Sequence, residues 1–348
     1  MEQARMPEAV QAGPAGAEAG LPPSSLFDFI RGGANRRFLV ASHISPEGDA
    51  LGSTLALAAA LRALGKEVVA YNRDAVPEFL RFLPGYEDIS GSLPEETGDF
   101  TLVLVDCSKP FRAGLDGVRF AGTVVIDHHE MDASKPGEPA ADVLWVEPAS
   151  PAAGLMVYQL VKALGVPVDR AMAVNLYTAI ATDTGSFKYS NTTPEALEAA
   201  AWLVRAGAEP ASVSQNVYES WSERRMRLLC LALQTLELRD RAAVMSVSAE
   251  MFSATGTTAE DIDNFTSFPR MLRDAEVAVL ISEQPGSGLI RASLRSKGGV
   301  DVRRVAQQFG GGGHRNAAGF RISSSQNNLP RLREELFKAI AAVSPKGE

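Results

Sequence analysis

Short, nearly uninterrupted apolar runs, several of them ending in acidic or imidazole side chains, are the feature that most constrains this sequence. The runs lie at 38–41, 67–71, 101–105 and 123–126. Strands that are apolar on both faces are typical of a parallel sheet buried between covering layers, whereas a half-exposed sheet alternates apolar and polar residues. The first half of the chain is therefore predicted to be an α/β domain with a parallel sheet.

Helical patterns alternate with these runs and continue through the second half of the chain. The first predicted helix spans 48–64 and ends at Gly65, a residue suited to a helix C-cap. Further helices are predicted at 151–164, 171–182, 194–206, 210–237, 302–309 and 329–343, and further strands at 243–247, 276–282, 289–296 and 319–322. The second half is thus predicted to be α/β as well.

A chain of 348 residues is long enough for two domains. The predicted division is a disordered extension over 1–24, a parallel-sheet domain over 25–207, a helical linker over 208–238 and a smaller α/β domain over 239–348. The extension is rich in Ala, Gly, Pro and Glu and lacks the basic start and apolar centre of a signal peptide.

Composition narrows the class of partner. The formal net charge is −8, which disfavours tight nonspecific binding to long duplex nucleic acid, because such binding relies on a broad basic surface. No apolar run approaches the ~18 residues of a membrane span. Cys107 and Cys230 are the only cysteines, which favours a reducing cytoplasm over a disulfide framework. Arg224, Arg225 and Arg227 are predicted to form a solvated helix face.

Imidazoles and carboxylates follow the apolar runs of the first domain. Alone, each would more often be a turn or capping residue, but the carboxyl ends of parallel strands share one edge of a sheet, where ligands bind. The candidate residues are His43, Glu47, Asp49, Asp106, Asp127, His128 and His129, with Asp183 at the end of a helix. The shared placement predicts a joint site.

Carboxylates gathered at one edge cannot all stay ionised and unpaired, since like charges raise each other's pKa. Divalent cations remove this conflict, and mixed carboxylate and imidazole ligands suit Mn²⁺, with Mg²⁺ as the alternative. Two such ions would activate a water and clamp a scissile phosphate. A dinucleotide-binding fold is disfavoured because neither Gly-x-Gly-x-x-Gly nor the P-loop motif follows a predicted strand.

A second set of residues is suited to binding an anion. Backbone N–H groups of a glycine run can approach a phosphate closely, and arginines on one strand face can add charge. The candidates are Gly311, Gly312, Gly313, His314, Arg315, Arg291, Arg295 and, in the first domain, Arg112. The sequence thus separates a candidate metal site in the first domain from a candidate anion-binding site in the second.

Several motifs resemble those of the DHH phosphoesterases. Asp-His-His at 127–129 resembles the signature of that family, and 43–53, 105–108 and 182–185 resemble its other motifs. The segment 310–319 resembles the glycine-rich motif of the DHH-associated C-terminal domain. The order of the motifs and the compact layout are most similar to the nanoRNase and pAp phosphatase branch.

The resemblance implies a hydrolase that degrades RNAs of two to five nucleotides to 5′-mononucleotides and removes the 3′-phosphate of pAp. The implied partners are short oligoribonucleotides or a nucleoside bisphosphate, without long duplexes or a membrane, and a homodimer is compatible with it. Alternatives are a phosphodiesterase of linear or cyclic signalling dinucleotides, a manganese pyrophosphatase, and a nucleotide-binding regulator with a weakened site.

The resemblance also implies a role for each residue of the site. One metal is held by His43, Glu47 and Asp106, and the other by Asp49, Asp106, His128 and Asp183. His129 acts on the scissile phosphate, Asp127 orients the imidazoles, and Arg295 matches the substrate-side arginine.

One position departs from the family pattern. Glu47 stands where the family usually has Asp. The extra methylene keeps the charge but changes the reach of the carboxylate, so the first metal site is expected to bind metal with altered strength.

Overall fold

A computed structural model describes residues 21–32, 36–130, 141–313, 315–325 and 327–344. The chain forms two compact units that divide between Glu219 and Ser220. The predicted extension lies outside the described residues as far as residue 20. None of the described helices combines the length and the hydrophobicity that crossing a bilayer requires.

The first unit is built on a six-stranded sheet in the order β3-β2-β1-β4-β5-β6. Its strands are β1 (Arg37–Ala41), β2 (Glu67–Tyr71), β3 (Ile89–Ser90), β4 (Thr101–Val105), β5 (Gly122–Asp127) and β6 (Val143–Val146). Every described pairing is parallel, which confirms the predicted sheet. The strand order reverses between β1 and β4, the point at which open α/β sheets bind ligands.

Helices cover one face of this sheet. They are α1 (Ser24–Arg31), α2 (Gly48–Ala63), α3 (Ala153–Ala163), α4 (Arg170–Asp183), α5 (Pro194–Arg205) and α6 (Pro210–Tyr218). Val40 and Val103 pack in the core beneath them. Leu39 and Leu104 point to the other face, where Leu115 of the segment after β4 packs against them. Burial on both faces explains the uninterrupted apolar runs.

Two glycines let α2 and α4 approach closely. A Cβ atom at Gly48 would lie 2.5 Å from Oγ1 of Thr182, and one at Gly52 would lie 2.4 Å from the carbonyl oxygen of Asn175. Both distances are shorter than any van der Waals contact, so no larger residue fits without a shift of α4. This close packing sets the position of the C-terminal end of α4, where Asp183 lies.

The predicted helix over 210–237 is wrong as a single element. It forms two helices, α6 and α7 (Glu223–Leu233), with a new N-cap at Ser222, whose side chain accepts from the Arg225 backbone N–H. The two helices pack in different cores, which explains the break: Val213 of α6 lies in the first unit and Leu228 of α7 in the second. The residues of the predicted linker are therefore shared between the units.

The prediction that Arg225 lies on a solvated helix face is also wrong. Arg225 is buried, its guanidinium lies 4.0 Å from the centre of the Trp221 ring, and it donates to the carbonyl oxygen of Asp263 at 2.6 Å. The cation over the ring and the carbonyl bond replace the lost hydration of the guanidinium. Its neighbours Arg224 and Arg227 are exposed as predicted.

The second unit contains a mixed six-stranded sheet in the order β11-β12-β10-β9-β8-β7. Its strands are β7 (Glu237–Arg239), β8 (Ala242–Val247), β9 (Val277–Gln284), β10 (Leu289–Ser296), β11 (Gly312–Gly313) and β12 (Ala317–Ser323). Helices α10 (Val302–Gln308) and α11 (Leu329–Val343) pack on one face, and α7 and α8 (Ala249–Thr255) on the other, with the short α9 (Ser267–Arg270) beside them. The predicted second α/β domain is confirmed.

Candidate functional site

Asp106 is the centre of a cluster at the reversal point of the first sheet. It follows β4, while His43 follows β1 and His128 follows β5. One carboxylate oxygen, Oδ2, lies 3.3 Å from Nε2 of His43, and the other, Oδ1, lies 3.2 Å from Nε2 of His128. The carboxylate therefore stands between two imidazoles that come from different strand ends.

Each imidazole is oriented by a backbone carbonyl. Nδ1 of His43 donates to the carbonyl oxygen of Ile44 at 2.8 Å, and Nδ1 of His128 donates to that of Ser150 at 3.1 Å. A carbonyl oxygen only accepts, so Nδ1 carries a proton in both rings. Nε2 therefore faces the carboxylates, and it can bind a metal once it has lost its own proton.

Asp106 has two further features of a functional residue. Its backbone is left-handed, with φ of 57°, a conformation that costs free energy outside glycine. Its Oδ1 atom is buried and accepts no regular hydrogen bond among the described residues. Because buried polar atoms are normally satisfied, this oxygen fits a cation bridging the cluster.

Asp49 is fixed by the start of α3 and by its own helix. Its carboxylate accepts from the backbone N–H groups of Ala153 at 2.7 Å and Gly154 at 2.8 Å, and from the hydroxyl of Ser53 at 2.9 Å. Its Oδ2 atom also lies 3.7 Å from Nε2 of His128. Asp183 brings a further carboxylate oxygen within 3.6 Å of the same nitrogen.

Glu47 both faces the cluster and caps α2. Its Oε2 accepts from the backbone N–H of Asp49 at 2.9 Å, and its Oε1 accepts from that of Ala50 at 2.8 Å. Oε1 lies 4.0 Å from Nε2 of His43. Both oxygens are therefore already held by helix N–H groups, and each keeps a second lone pair for a cation.

Without a bound cation, the buried carboxylates of the cluster repel one another, and this repulsion shifts their pKa values. Burial, together with the charges of Asp106 and Asp183, raises the pKa of Glu47 to about 8 and that of Asp49 well above its usual range. Burial lowers the pKa of His43, but its hydrogen bond to Asp106 and nearby carboxylates outweigh this and raise it to about 9. At neutral pH the cluster therefore holds protons that a divalent cation would replace.

His129 lies 3.5 Å from Oδ1 of Asp106 through its Nδ1, but its hydrogen bonds go to Asp127. Nδ1 of its ring donates to Oδ1 of Asp127 at 2.7 Å, and its backbone N–H donates to the same oxygen at 3.1 Å. Asp127 is fully buried. It was predicted to orient both imidazoles, but in the described contacts it orients His129, while Ser150 orients His128.

The ligand atoms of the described residues form three overlapping groups that a metal could occupy. Those of His43, Glu47 and Asp106 lie within 4.8 Å of one another, as do those of Asp49, His128 and Asp183 and those of Asp106, His128 and His129. Asp106 also lies close to His128, which joins the first two groups. The residues present thus fit two divalent ions that share Asp106.

The predicted substrate arginines of the second unit lie on an open part of its sheet. Arg291 and Arg295 are both exposed on the same face of β10. Arg321 of β12, which the sequence reasoning missed, lies directly opposite Arg291 in the antiparallel register and is also exposed. Like charges in that position repel, so the pair favours a bound anion.

The glycine run has a structural role at several positions. Gly311 could not carry a Cβ atom, which would lie 2.3 Å from the carbonyl oxygen of Gly319, and Gly313 has φ of 135°. Gly312 faces open space. Arg315 is exposed, and His314 lies outside the described residues. Packing therefore accounts for two of these glycines, and Gly312 is left as the position most open to a ligand.

Arg112 lies on the segment after Asp106, in a short 3₁₀ turn over Pro110–Ala113. Its carbonyl oxygen accepts from the backbone N–H of Ile44 at 2.8 Å. Burial raises the pKa of Cys107 to about 11 despite the nearby charge of Arg112. The guanidinium thus lies near the residue that follows Asp106.

Comparison with known proteins identifies the family of both units. Residues 37–180 match the model of the DHH family, N-terminal domain, and residues 241–342 match that of the DHHA1 domain. The chain is 35% identical over 307 residues to the bifunctional oligoribonuclease and PAP phosphatase NrnA of Thermus thermophilus, a match that covers 86% of this chain and 90% of that protein. This chain belongs to the DHH family.

A further relative and a solved structure are similar to this chain over most of its length. The protein of the same name from Bacillus subtilis is 27% identical over 86% of this chain and 91% of its own length. The crystal structure of an exopolyphosphatase-related protein from Bacteroides fragilis superposes with a TM-score of 0.80 at 24% identity, covering 91% of this chain and 95% of that one. The latter shows that the two proteins share a fold.

Within this DHH site, the sequence reasoning missed the groups that position the ligands. They are the N–H groups at the start of α3, the Ser53 hydroxyl and the carbonyl oxygens of Ile44 and Ser150. Ser53 lies one helical turn after Asp49, a spacing that could have revealed its contact. The backbone groups leave no such signal in the sequence.

Proposed function

We propose that this chain is a metal-dependent phosphodiesterase that degrades RNAs of two to five nucleotides to 5′-mononucleotides and removes the 3′-phosphate from pAp. The observation that carries the proposal is the buried Oδ1 of Asp106, which lies among the ligand groups and accepts no regular hydrogen bond from the part of the chain that the structure describes. The similarity to the two NrnA proteins supports the substrate class.

Two Mn²⁺ ions, with Mg²⁺ as the alternative, are proposed for the cluster. One would be held by His43, Glu47 and Asp106, and the other by Asp49, Asp106, His128 and Asp183. Imidazole nitrogens beside several carboxylates, without a thiolate, suit Mn²⁺ best. When bound, the ions supply an activated water and neutralise charge on the scissile phosphate.

His129 is proposed to donate a hydrogen bond or a proton to the phosphate. Because its Nδ1 donates to Asp127, its Nε2 is the ring atom proposed to act on the phosphate. The Asp127 carboxylate is fully buried and fixes the orientation of the ring through this hydrogen bond. The pair thus supports a positioned imidazole that interacts with a phosphate oxygen.

The second unit is proposed to bind a phosphate group of a nucleotide. Arg291, Arg295 and Arg321 offer guanidinium groups suited to a phosphate, and Gly312 offers backbone without a side chain. His314 and Arg315 are proposed to add to this surface, and Arg112 to assist in the first unit. We also propose that the protein acts in the cytoplasm, which its two free cysteines suit.

A turnover panel with Mn²⁺ tests the proposal. We expect release of AMP from pAp and of mononucleotides from RNA dinucleotides and five-mers, with slower turnover of cyclic dinucleotides. His129→Ala should lower all these activities together by about 10²-fold or more, because a positioned proton donor contributes that much. A wild-type preference for cyclic dinucleotides would replace the proposed substrate, and full activity of His129→Ala would remove its role.

A further inference from the structure

An aromatic side chain is exposed on the segment that begins with Asp106. Phe111 is 59% exposed, although Ala113 and Leu115 of the same segment are buried in the core. The 3₁₀ turn over Pro110–Ala113 therefore presents the ring to solvent while the residues after it anchor the segment.

A second apolar side chain is exposed on the adjoining segment. Ile44 is 37% exposed, and its backbone N–H donates to the carbonyl oxygen of Arg112 at 2.8 Å. The neighbour of Phe111 is thus hydrogen-bonded to the neighbour of His43. Two exposed apolar residues lie on segments that are tied together at the carboxyl edge of the first sheet.

The same bonds connect this surface to the metal cluster. The carbonyl oxygen of Ile44 accepts from Nδ1 of His43, and Nε2 of that ring faces Asp106 at 3.3 Å. A ligand on Phe111 would therefore lie against the two segments that supply His43 and Asp106. Ligands of open α/β sheets bind at this edge.

The charges beside Phe111 suit a nucleotide. Lys109 and Arg112 flank the ring in sequence, and both are half-buried. Aromatic rings between basic residues are the combination that binds single-stranded nucleic acid, because bases stack on the ring while the cations attract the phosphates. A purely apolar ligand would not interact with the cations, and an acidic ligand without an aromatic group would not stack on the ring.

We propose that Phe111 is a stacking platform for a base of the substrate, with Ile44 extending the platform on the side of His43. The proposal rests on the proposed function, since it takes the substrate to be a nucleotide. Phe111 determines affinity and base preference, purines over pyrimidines because their rings offer more stacking area, and it takes no part in the chemical step.

Phe111→Ala and Phe111→Trp test the platform with two substrates, diadenylate and its analogue without bases. We expect Phe111→Ala to raise KM for diadenylate by about 5- to 100-fold, the effect of removing one stacked base, with kcat little changed. Phe111→Trp should keep the wild-type KM. Turnover of the base-free analogue should be the same in all three proteins.

Leu197→Ala is the matched control, because Leu197 is 51% exposed on α5, and its KM should stay that of the wild type. If Phe111→Ala lost the same activity on diadenylate and on the base-free analogue, the ring would position Asp106 and would not bind a base. If KM and turnover were unchanged on both substrates, the platform would be overturned.

A binding measurement separates this proposal from the proposed function. Fluorescence of a dinucleotide containing 2-aminopurine should be quenched by the wild type and not by Phe111→Ala, because stacking quenches this base. Quenching without hydrolysis of any nucleotide would retain the platform and reject the proposed reaction. Hydrolysis together with equal quenching by the wild type and Phe111→Ala would retain the proposed reaction and reject the platform.

Discussion

Glu47 shows how one residue can serve both a helix and a metal site. Its two oxygens accept from the N–H groups of Asp49 and Ala50 and also face the His43 imidazole. The sequence showed that Glu47 stands where the family usually has Asp, but it did not show that Glu47 caps α2. The longer side chain folds back onto the first turn of α2, and such local bonds depend on side-chain torsions that no motif records.

Three substitutions separate the two roles of Glu47. Glu47→Gln keeps a capping oxygen, so we expect little change in metal-free stability but a weaker affinity for Mn²⁺, by about tenfold or more. Glu47→Asp should keep both the helix cap and the affinity for Mn²⁺. Glu47→Ala should lose the metal affinity and about 0.5–2 kcal/mol of stability, as for other lost caps. Thermal denaturation and Mn²⁺ calorimetry measure these effects, and an unchanged Glu47→Ala would remove both roles.

Metal binding should release protons from the cluster. The pKa of Glu47 is about 8 and that of His43 about 9, so both are protonated at pH 7 without metal. A cation needs the ionised carboxylate and the neutral imidazole. We therefore expect Mn²⁺ affinity to rise with pH from 6 to 9. Calorimetry at pH 7 in buffers of different ionisation enthalpy should show proton release, and identical enthalpies in all buffers would contradict it.

Most of the ligand cluster could be predicted because strand ends share an edge of the sheet. His43, Asp106 and His128 each follow a predicted apolar run, and the structure brings them together. Arg321 could not be found this way, because its position opposite Arg291 depends on the strand register. Register is set by pairing across the sheet and is not visible in one strand alone.

At the scale of elements, the glycines of α2 decide how near α4 can lie. Gly48 and Gly52 are one helical turn apart and face Thr182 and Asn175 of α4. The close approach brings Asp183, at the end of α4, toward His128. Helix packing therefore builds part of the metal site.

Gly52→Ala tests this dependence. The added methyl would lie 2.4 Å from a backbone oxygen of α4, so we expect a loss of about 1–3 kcal/mol of stability, typical of overpacking, and weaker Mn²⁺ binding as Asp183 shifts. Gly91→Ala is the control, since its Cβ would meet no atom within 4 Å. Chemical denaturation and calorimetry compare the two variants. Equal stability and equal Mn²⁺ affinity of the two variants would show that this contact does not set the position of α4.

The elements themselves were predictable where their patterns were long. Predicted and observed bounds agree closely for α2, α5 and β10. β3 was missed because it has two residues, and β6 because its four residues include an exposed Leu144. The break between α6 and α7 was missed because both halves favour a helix, and only their separate cores require a turn between them.

At the scale of the whole molecule, two units with separate cores carry a net charge of −8. The acidic surface should repel a long polyanion, while local arginines attract a short one. We therefore expect kcat/KM to fall from RNA dinucleotides to five-mers and to be lowest for 20-mers. End-labelled RNAs of each length measure this. Turnover that rises steadily with length would contradict it.

The central claim is that the Asp106 cluster holds divalent ions that are required for cleavage of short RNA. Its most direct test is AMP release from 5′-phosphorylated diadenylate by metal-stripped protein during titration with Mn²⁺, in the wild type and in Asp106→Asn. The expected result is no release without metal, full activity of the wild type near two ions per chain, and loss of about 10²-fold or more in Asp106→Asn. Release that persists in chelator, or that is equal in Asp106→Asn, would contradict the claim.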